Sequence, residues 1–215
     1  MKLVILQFEE FLAPTRFIDF KKPIIAHAVH DIIGRDQQEE PRNKAIKLFK
    51  FVRDRIKYKI NRDFFTRKTL KSSYTLEKKE AWCVPKAILL CSFARAVKIP
   101  SRLHFATIIN HRISESLREY MGTNIFVYHG YAELYIDNTW LKVNPAFDAT
   151  LSREKGFPIV EFDGKNDALF KTKDVYGNPF IEYIEDLGVY SDLPYTKITT
   201  KFMEFYGPHL SGRSN

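Results

Sequence analysis

Ala81-Trp82-Cys83-Val84-Pro85, with the apolar run of residues 86–97 behind it, puts a cysteine just ahead of a proline that can open a helix. Proline suits a first helical turn, because its missing N–H would be unbonded there anyway. Val84, Ala87, Ile88, Cys91, Ala94 and Val97 then recur at the spacing of one buried face, with Lys86, Arg95 and Lys98 off it. Pro100 stops the helix. Cys91 falls on the apolar stripe and reads as a packing residue. Cys83 reads differently. A helix start offers unpaired N–H groups and the positive end of the dipole, and both favour a thiolate.

Downstream, residues 103–109 read as a strand, and residues 110–122 as an excursion holding a short helix (114–121) with Ser114 as N-cap. The chain resumes as a strand over 126–136, turns at Asp137-Asn138 and returns as a strand over 139–143. His129 lies on the first of these strands, inside Tyr128-His129-Gly130-Tyr131, and Asn144 directly follows the second. A cysteine, a histidine and an amide or carboxylate in that order form a candidate catalytic triad. The thiolate attacks, the imidazole exchanges the proton, and a third group holds the other ring nitrogen. The backbone N–H of Cys83, at the helix start, is the natural oxyanion donor.

Upstream, residues 1–20 read as a short strand through Leu3, Ile5 and Phe8, then an extended arm. A helix follows over 23–33, ending at Gly34. His27 and His30 lie three apart in that helix, but without a third ligand nearby they read as surface or packing residues. From Pro41 to about Tyr58 a helix buries Ala45, Leu48, Phe49, Val52 and Ile56 on one face. Residues 61–79 read as a long loop running into the cysteine, in which Tyr74 either lines the site or packs. Beyond Pro145, residues 151–215 carry turn pairs between short aromatic runs such as 181–184, predicting a hairpin and a terminal helix around 198–205. The organisation is thus an N-terminal arm and helix (1–40), a core (41–150) and a C-terminal β-rich extension (151–215) packed on it in one compact domain.

The composition, 45% hydrophobic and 28% charged over 215 residues, is that of a soluble globular protein. No apolar run approaches the roughly 20 residues that span a bilayer. Residues 1–6 begin like a signal peptide, but Gln7, Glu9 and Glu10 cut the apolar region short, so the expected compartment is the cytoplasm. Cys83 and Cys91, on one helix, would lie roughly 12 Å apart along its axis. A disulfide needs Cα atoms within about 7 Å, so both are expected as free thiols. The formal charge of +8 is uneven: residues 1–80 hold 19 Lys and Arg against 11 Asp and Glu, and the rest of the chain balances. Such a face can dock acidic partners, yet no nucleic-acid-binding motif accompanies it, so neither nucleic acid nor membrane is expected as a partner.

Several of these stretches together resemble the transglutaminase-like superfamily of cysteine acyl-transfer enzymes, from about Ala45 to Asp148. They are Phe51-Val52-Arg53-Asp54-Arg55-Ile56-Lys57-Tyr58, Trp82-Cys83, and the helix exit Val97-Lys98-Ile99-Pro100-Ser101-Arg102. His129-Gly130-Tyr131-Ala132-Glu133-Leu134-Tyr135 and Trp140-Leu141-Lys142-Val143-Asn144-Pro145 complete the set. The resemblance implies an α+β papain-like core, with the Cys-bearing helix packed on a small antiparallel sheet that carries the histidine. The whole chain is further similar to bacterial stand-alone members, which continue into a Glu-Phe-Asp-Gly tail like that at 161–164. The position before the proline is usually Asp in the superfamily and is Asn144 here, which leaves Asp148 as an alternative third member. Ala81 stands where Gly is frequent.

The expected protein is a thiol-dependent acyl-transfer enzyme without cofactor or metal, hydrolysing an amide or peptide bond through an acyl-enzyme. Transfer to an amine acceptor is the alternative. A non-catalytic binding module of the same fold, using the basic N-terminal half, is the rival from another class.

Overall fold

The computed structural model describes residues 8–34, 39–60 and 65–207. Its centre is helix α5 (Cys83–Ala96), in which every residue from Cys83 to Arg95 is buried. Four helices precede it: α1 (Glu9–Leu12), α2 (Pro23–Ile33), α3 (Pro41–Arg55) and α4 (Ser72–Lys78). Helices α2, α3 and α4 lie against one side of α5, and strands of an antiparallel sheet lie against the other. That sheet has the order β5-β4-β3-β6, from β3 (Ser101–Asn110), β4 (Ile125–Ile136), β5 (Thr139–Val143) and β6 (Ile181–Tyr190). A parallel pair of two-residue strands, β1 (Lys57–Tyr58) and β2 (Glu80–Ala81), leads the chain into α5. The expected architecture, a Cys-bearing helix packed on a small antiparallel sheet, is the one observed.

Local signals placed several elements well. Pro23 and Pro41 open α2 and α3, and Gly34 ends α2 in a positive-φ conformation, its N–H donating to the His30 carbonyl. Helix α3 buries Ala45, Leu48, Phe49 and Val52 as their spacing predicts, with Ile56 buried just beyond its end. The β4–β5 turn sets Asp137 and Asn138 at φ 49° and 65°. Two positive φ values are what a tight two-residue hairpin needs, and Asp and Asn tolerate them. Ser114 caps α6 (Glu115–Met121) by accepting from the Leu117 N–H.

Elsewhere the structure corrects the sequence reading. Leu3 and Ile5 of the expected first strand lie outside the described residues, and residues 9–12 form the single turn α1. Phe8 packs there at a tilt on Tyr135, and Phe11 edge-on against Trp140. The expected loop 61–79 contains α4, whose start is capped from far upstream. Asp19 accepts from the Ser73 N–H and hydroxyl at 2.9 and 2.6 Å and from the Ser72 hydroxyl at 2.6 Å. Tyr74, on α4, sits between the ammonium groups of Lys68 and Lys78.

No hairpin pairs the 181–184 run with a neighbour in the extension, where residues 173 and 179 meet only as an isolated bridge. That run begins β6, which crosses to the far edge of the main sheet and pairs antiparallel with β3. Helix α7 (Ala149–Lys155) precedes it, and α8 (Tyr195–Tyr206) follows, anchored by Ile198 and Phe202.

Lys86 and Arg95 are the largest departure. The helical stripe puts them outside, yet both are fully buried. Lys86 Nζ donates to the carbonyls of Arg53 (2.9 Å) and Ile56 at the C-terminal end of α3, where unpaired carbonyls and the dipole favour a cation. Arg95 donates to three carbonyls from separate parts of the chain: Ala13 (2.6 Å), Ser101 (2.8 Å) and Ser191 (2.6 Å). Hydrogen bonds to a charged donor are each worth about 1.5–3 kcal/mol. Arg95→Ala should therefore lower the unfolding free energy by roughly 3 kcal/mol or more, measured by urea denaturation. The exposed Arg16→Ala should change it by less than about 0.5 kcal/mol.

Candidate active site

Trp82 is the N-cap residue of α5, with extended backbone (φ −91°, ψ −175°), and Cys83 is the first helical residue. The Trp82 ring is held by Phe65 and by Phe202 of α8, at centroid separations of 5.8 and 6.2 Å. Pro85 sits in the first turn, where no N–H is needed. The thiol is thus fixed at the helix start.

Strand β4 is brought onto that start by Gly130. A Cβ there would lie 2.9 Å from Val84 Cγ2 and 3.2 Å from Val84 Cα, so only glycine lets the strand approach so closely. The backbone N–H groups of Gly130, Val84 and Cys83 lie near enough to the Cys83 sulfur to favour its thiolate. Just before it the β3–β4 register slips, Ala106 pairing with His129 but Ile108 with Phe126. Tyr128 takes up the slip at φ 54°. A bulge of this kind re-aims the neighbouring side chain. Cys83 and His129 consequently line one cleft.

Asn144 leaves the end of β5 with its N–H bonded to the Ala168 carbonyl at 2.9 Å. Its side chain meets His129, with Nδ2 3.0 Å from Nε2. The Ala146 N–H donates to Asn144 Oδ1 at 3.1 Å, and this fixes which way the amide faces. Nδ2 then points at His129 Nε2 and at the Tyr183 hydroxyl, 3.4 Å away. An amide nitrogen only donates, so Nε2 accepts and the neutral ring carries its proton on Nδ1. The Asp148 oxygens are taken elsewhere. Oδ1 caps α7 by accepting from the Leu151 N–H at 2.9 Å, and Oδ2 accepts from the Tyr58 N–H at 3.1 Å. The structure therefore joins His129 to Asn144, and Asp148 to α7 and β1.

Burial dominates the electrostatics. It pushes the Cys83 thiol up to about 11, against the lowering effect of the nearby backbone N–H groups. It pushes the His129 imidazole down to about 3. The two groups rest uncharged at neutral pH, because the desolvation cost of either ion alone exceeds what its neighbours return. Lys86, one turn along α5 from Cys83, is likewise driven down to about 7 by burial, with Asp148 and Asp54 opposing.

The sequence reading missed the aromatic shell of the histidine. Phe170, Tyr131 and Tyr183 pack around it at centroid separations of 5.5–6.3 Å. Phe170 and Tyr183 come from the C-terminal region, and no local pattern ties them to His129. Lys86 was missed too; its only signal is a cation inside a helix that is otherwise apolar except for Ser92 and Arg95. Among the described residues no cluster of three or more His, Cys, Asp or Glu could hold a metal ion. No described helix is long and apolar enough to cross a membrane.

In a comparison of folds, the chain is similar to the crystal structure of a "putative cysteine protease" from Cytophaga hutchinsonii, with a TM-score of 0.50 and 14% identity. The alignment covers 86% of this chain but only 54% of that one, so the chain spans about half the length of this neighbour. No curated protein matches the sequence. The profile of the transglutaminase-like superfamily matches residues 27–145, from α2 to the residue after Asn144, and takes in Cys83 and His129. That match spans more than half of the chain, which therefore belongs to the transglutaminase-like superfamily.

Proposed function

We propose that the protein is a thiol-dependent acyl-transfer enzyme that hydrolyses an amide or peptide bond through a Cys83 thioester. Cys83 is the nucleophile, His129 the proton carrier and Asn144 the group that orients the imidazole. The observation that carries this reading is the His129 Nε2 to Asn144 contact, which leaves Nδ1 as the ring nitrogen for the thiol. Family membership and the Cys83 position at a helix start support it.

In the attacking step, with the ring proton shifted from Nδ1 to Nε2, the Cys83 proton moves to the vacated His129 Nδ1 as the sulfur bonds to the carbonyl carbon. The tetrahedral oxyanion accepts from the Cys83 N–H. The C–N bond then breaks, His129 gives its proton to the departing amine, and the acyl group remains on sulfur. Water, deprotonated by His129, cleaves the thioester and restores the thiol. A primary amine in place of water would give transamidation. Product analysis with and without added amine separates the two outcomes.

The resting tautomer bears on the first step. To take a proton at Nδ1, His129 must carry its other proton on Nε2, where the Asn144 amide now also presents hydrogens. Rotating the amide by half a turn supplies Oδ1 to Nε2–H, and removes the partner of the Ala146 N–H. An Asp at 144 would serve both donors without rotation.

Two predictions follow from this pair. Iodoacetamide alkylation of Cys83, read by peptide mass mapping so that buried Cys91 is counted separately, should show a plateau through neutral pH. In His129→Ala the plateau should vanish, leaving a rate that climbs about tenfold per pH unit towards about 11, as the lone buried thiol ionises. Identical profiles for the two proteins would sink the enzyme reading. Asn144→Asp should raise the His129 pKa, followed by NMR, and speed Cys83 alkylation at pH 7 severalfold. The carboxylate stabilises the imidazolium that the amide opposes. An unmoved His129 titration would remove Asn144 from the mechanism.

A further inference from the structure

The cleft that ends at Cys83 and His129 extends beyond the thiol and the imidazole. It is narrow, about 50 Å³, and opens to solvent. Among the described residues, its lining holds no Lys, Arg, Asp or Glu. In a chain with 34 basic and 26 acidic residues, a lining of thirteen residues without such a charge around the reactive pair is a chemical specification.

Two helices supply much of its wall. Helix α6 has no buried residue, yet Leu117, Tyr120 and Met121 line the cleft, and Tyr120 remains 49% exposed. Helix α8 supplies Phe202 and Tyr206, and it lies outside the stretch that matches the superfamily profile. The Tyr206 hydroxyl is turned into β4, accepting from the Val127 N–H at 2.8 Å and donating to the Ile125 carbonyl at 3.0 Å. Its polar end is satisfied there, so this tyrosine contributes an apolar ring to the wall.

We propose that this cleft selects the substrate: an amide whose carbonyl is flanked by an uncharged aromatic or aliphatic side chain, with charged side chains rejected at that position. The occupant is fixed by the walls. An apolar group gains by leaving water, whereas a charge would be stripped of water and find no counter-ion. The cleft continues to the sulfur, so the group it takes is the one beside the bond under attack. This inference rests on the proposed role of Cys83, and its test separates the two.

The full chain is alkylated with two chloroacetamides, one carrying a benzyl group and one a carboxymethyl group on nitrogen. Each rate at Cys83 is divided by the rate of the same reagent with free cysteine. The benzyl reagent should lead by at least tenfold. Leu117→Lys, on a helix that buries nothing, should bring the ratio to threefold or less. Equal normalised rates, or a ratio that Leu117→Lys does not move, would overturn the inference.

A second measurement is independent of thiol reactivity. In Cys83→Ala, N-phenyl-1-naphthylamine fluorescence should rise saturably and be displaced by N-acetylphenylalanine amide, but not by N-acetylaspartate amide. Absence of saturable binding overturns the apolar cleft however reactive Cys83 proves. Binding with the expected displacement, beside a thiol inert to every reagent, overturns the catalytic reading and upholds the apolar preference.

Discussion

Helix α5 is enclosed on both sides, and the rest of the fold is arranged to satisfy what that enclosure strands. An α-helix buried all round contributes thirteen consecutive buried side chains, Cys83 to Arg95, to one core. Such a helix tolerates a cation only where carbonyl oxygens converge on it. Lys86 and Arg95 meet this condition by gathering carbonyls from α3, the N-terminal arm, the start of β3 and the segment after β6. The two cations therefore act as clamps: each ties α5 to backbone that is remote in sequence.

The same enclosure governs the chemistry. A thiol at the first position of a surface helix would be eased towards ionisation by the N–H groups around it. Here Gly130 brings β4 so close that those donors are present, but water is largely gone, and desolvation outweighs them. His129 is caught in the same dry setting between Phe170, Tyr131 and Tyr183. The pair rests neutral, so charge separation has to come from proton transfer within the pair. The Asn144 amide, tied by the Ala146 N–H, reinforces the neutral state.

The parts of the molecule that were legible in the sequence are those whose determinants lie within a few residues. Pro41 opening α3, Ser114 capping α6, and Asp137-Asn138 turning β4 into β5 all act through local backbone geometry. Helix α4 was unreadable because Asp19 caps it across more than fifty residues. Strand β6 was misplaced because its hydrogen-bond partner is β3, on the other side of two strands and two helices in sequence. Periodicity failed for Lys86 and Arg95 for a related reason. It separates faces by polarity, and a helix buried on every face has no solvent side to which a charge can be assigned.

The sequence by itself determined the fold class, the helix start at Cys83, and the order in which cysteine, histidine and asparagine follow one another. These rest on residue type and spacing, which local conformation reads directly. Between Asn144 and Asp148 the sequence left the choice of third partner open, since both follow β5 within five residues. Only the tertiary structure shows which of the two meets the imidazole: the hydrogen bonds of α7 and β1 occupy the Asp148 carboxylate while Asn144 meets the ring. Only the tertiary structure, too, made the thiol and imidazole neutral at rest and surrounded them with uncharged walls. Burial is a property of what packs around a residue, and the residues that pack here come from both ends of the chain.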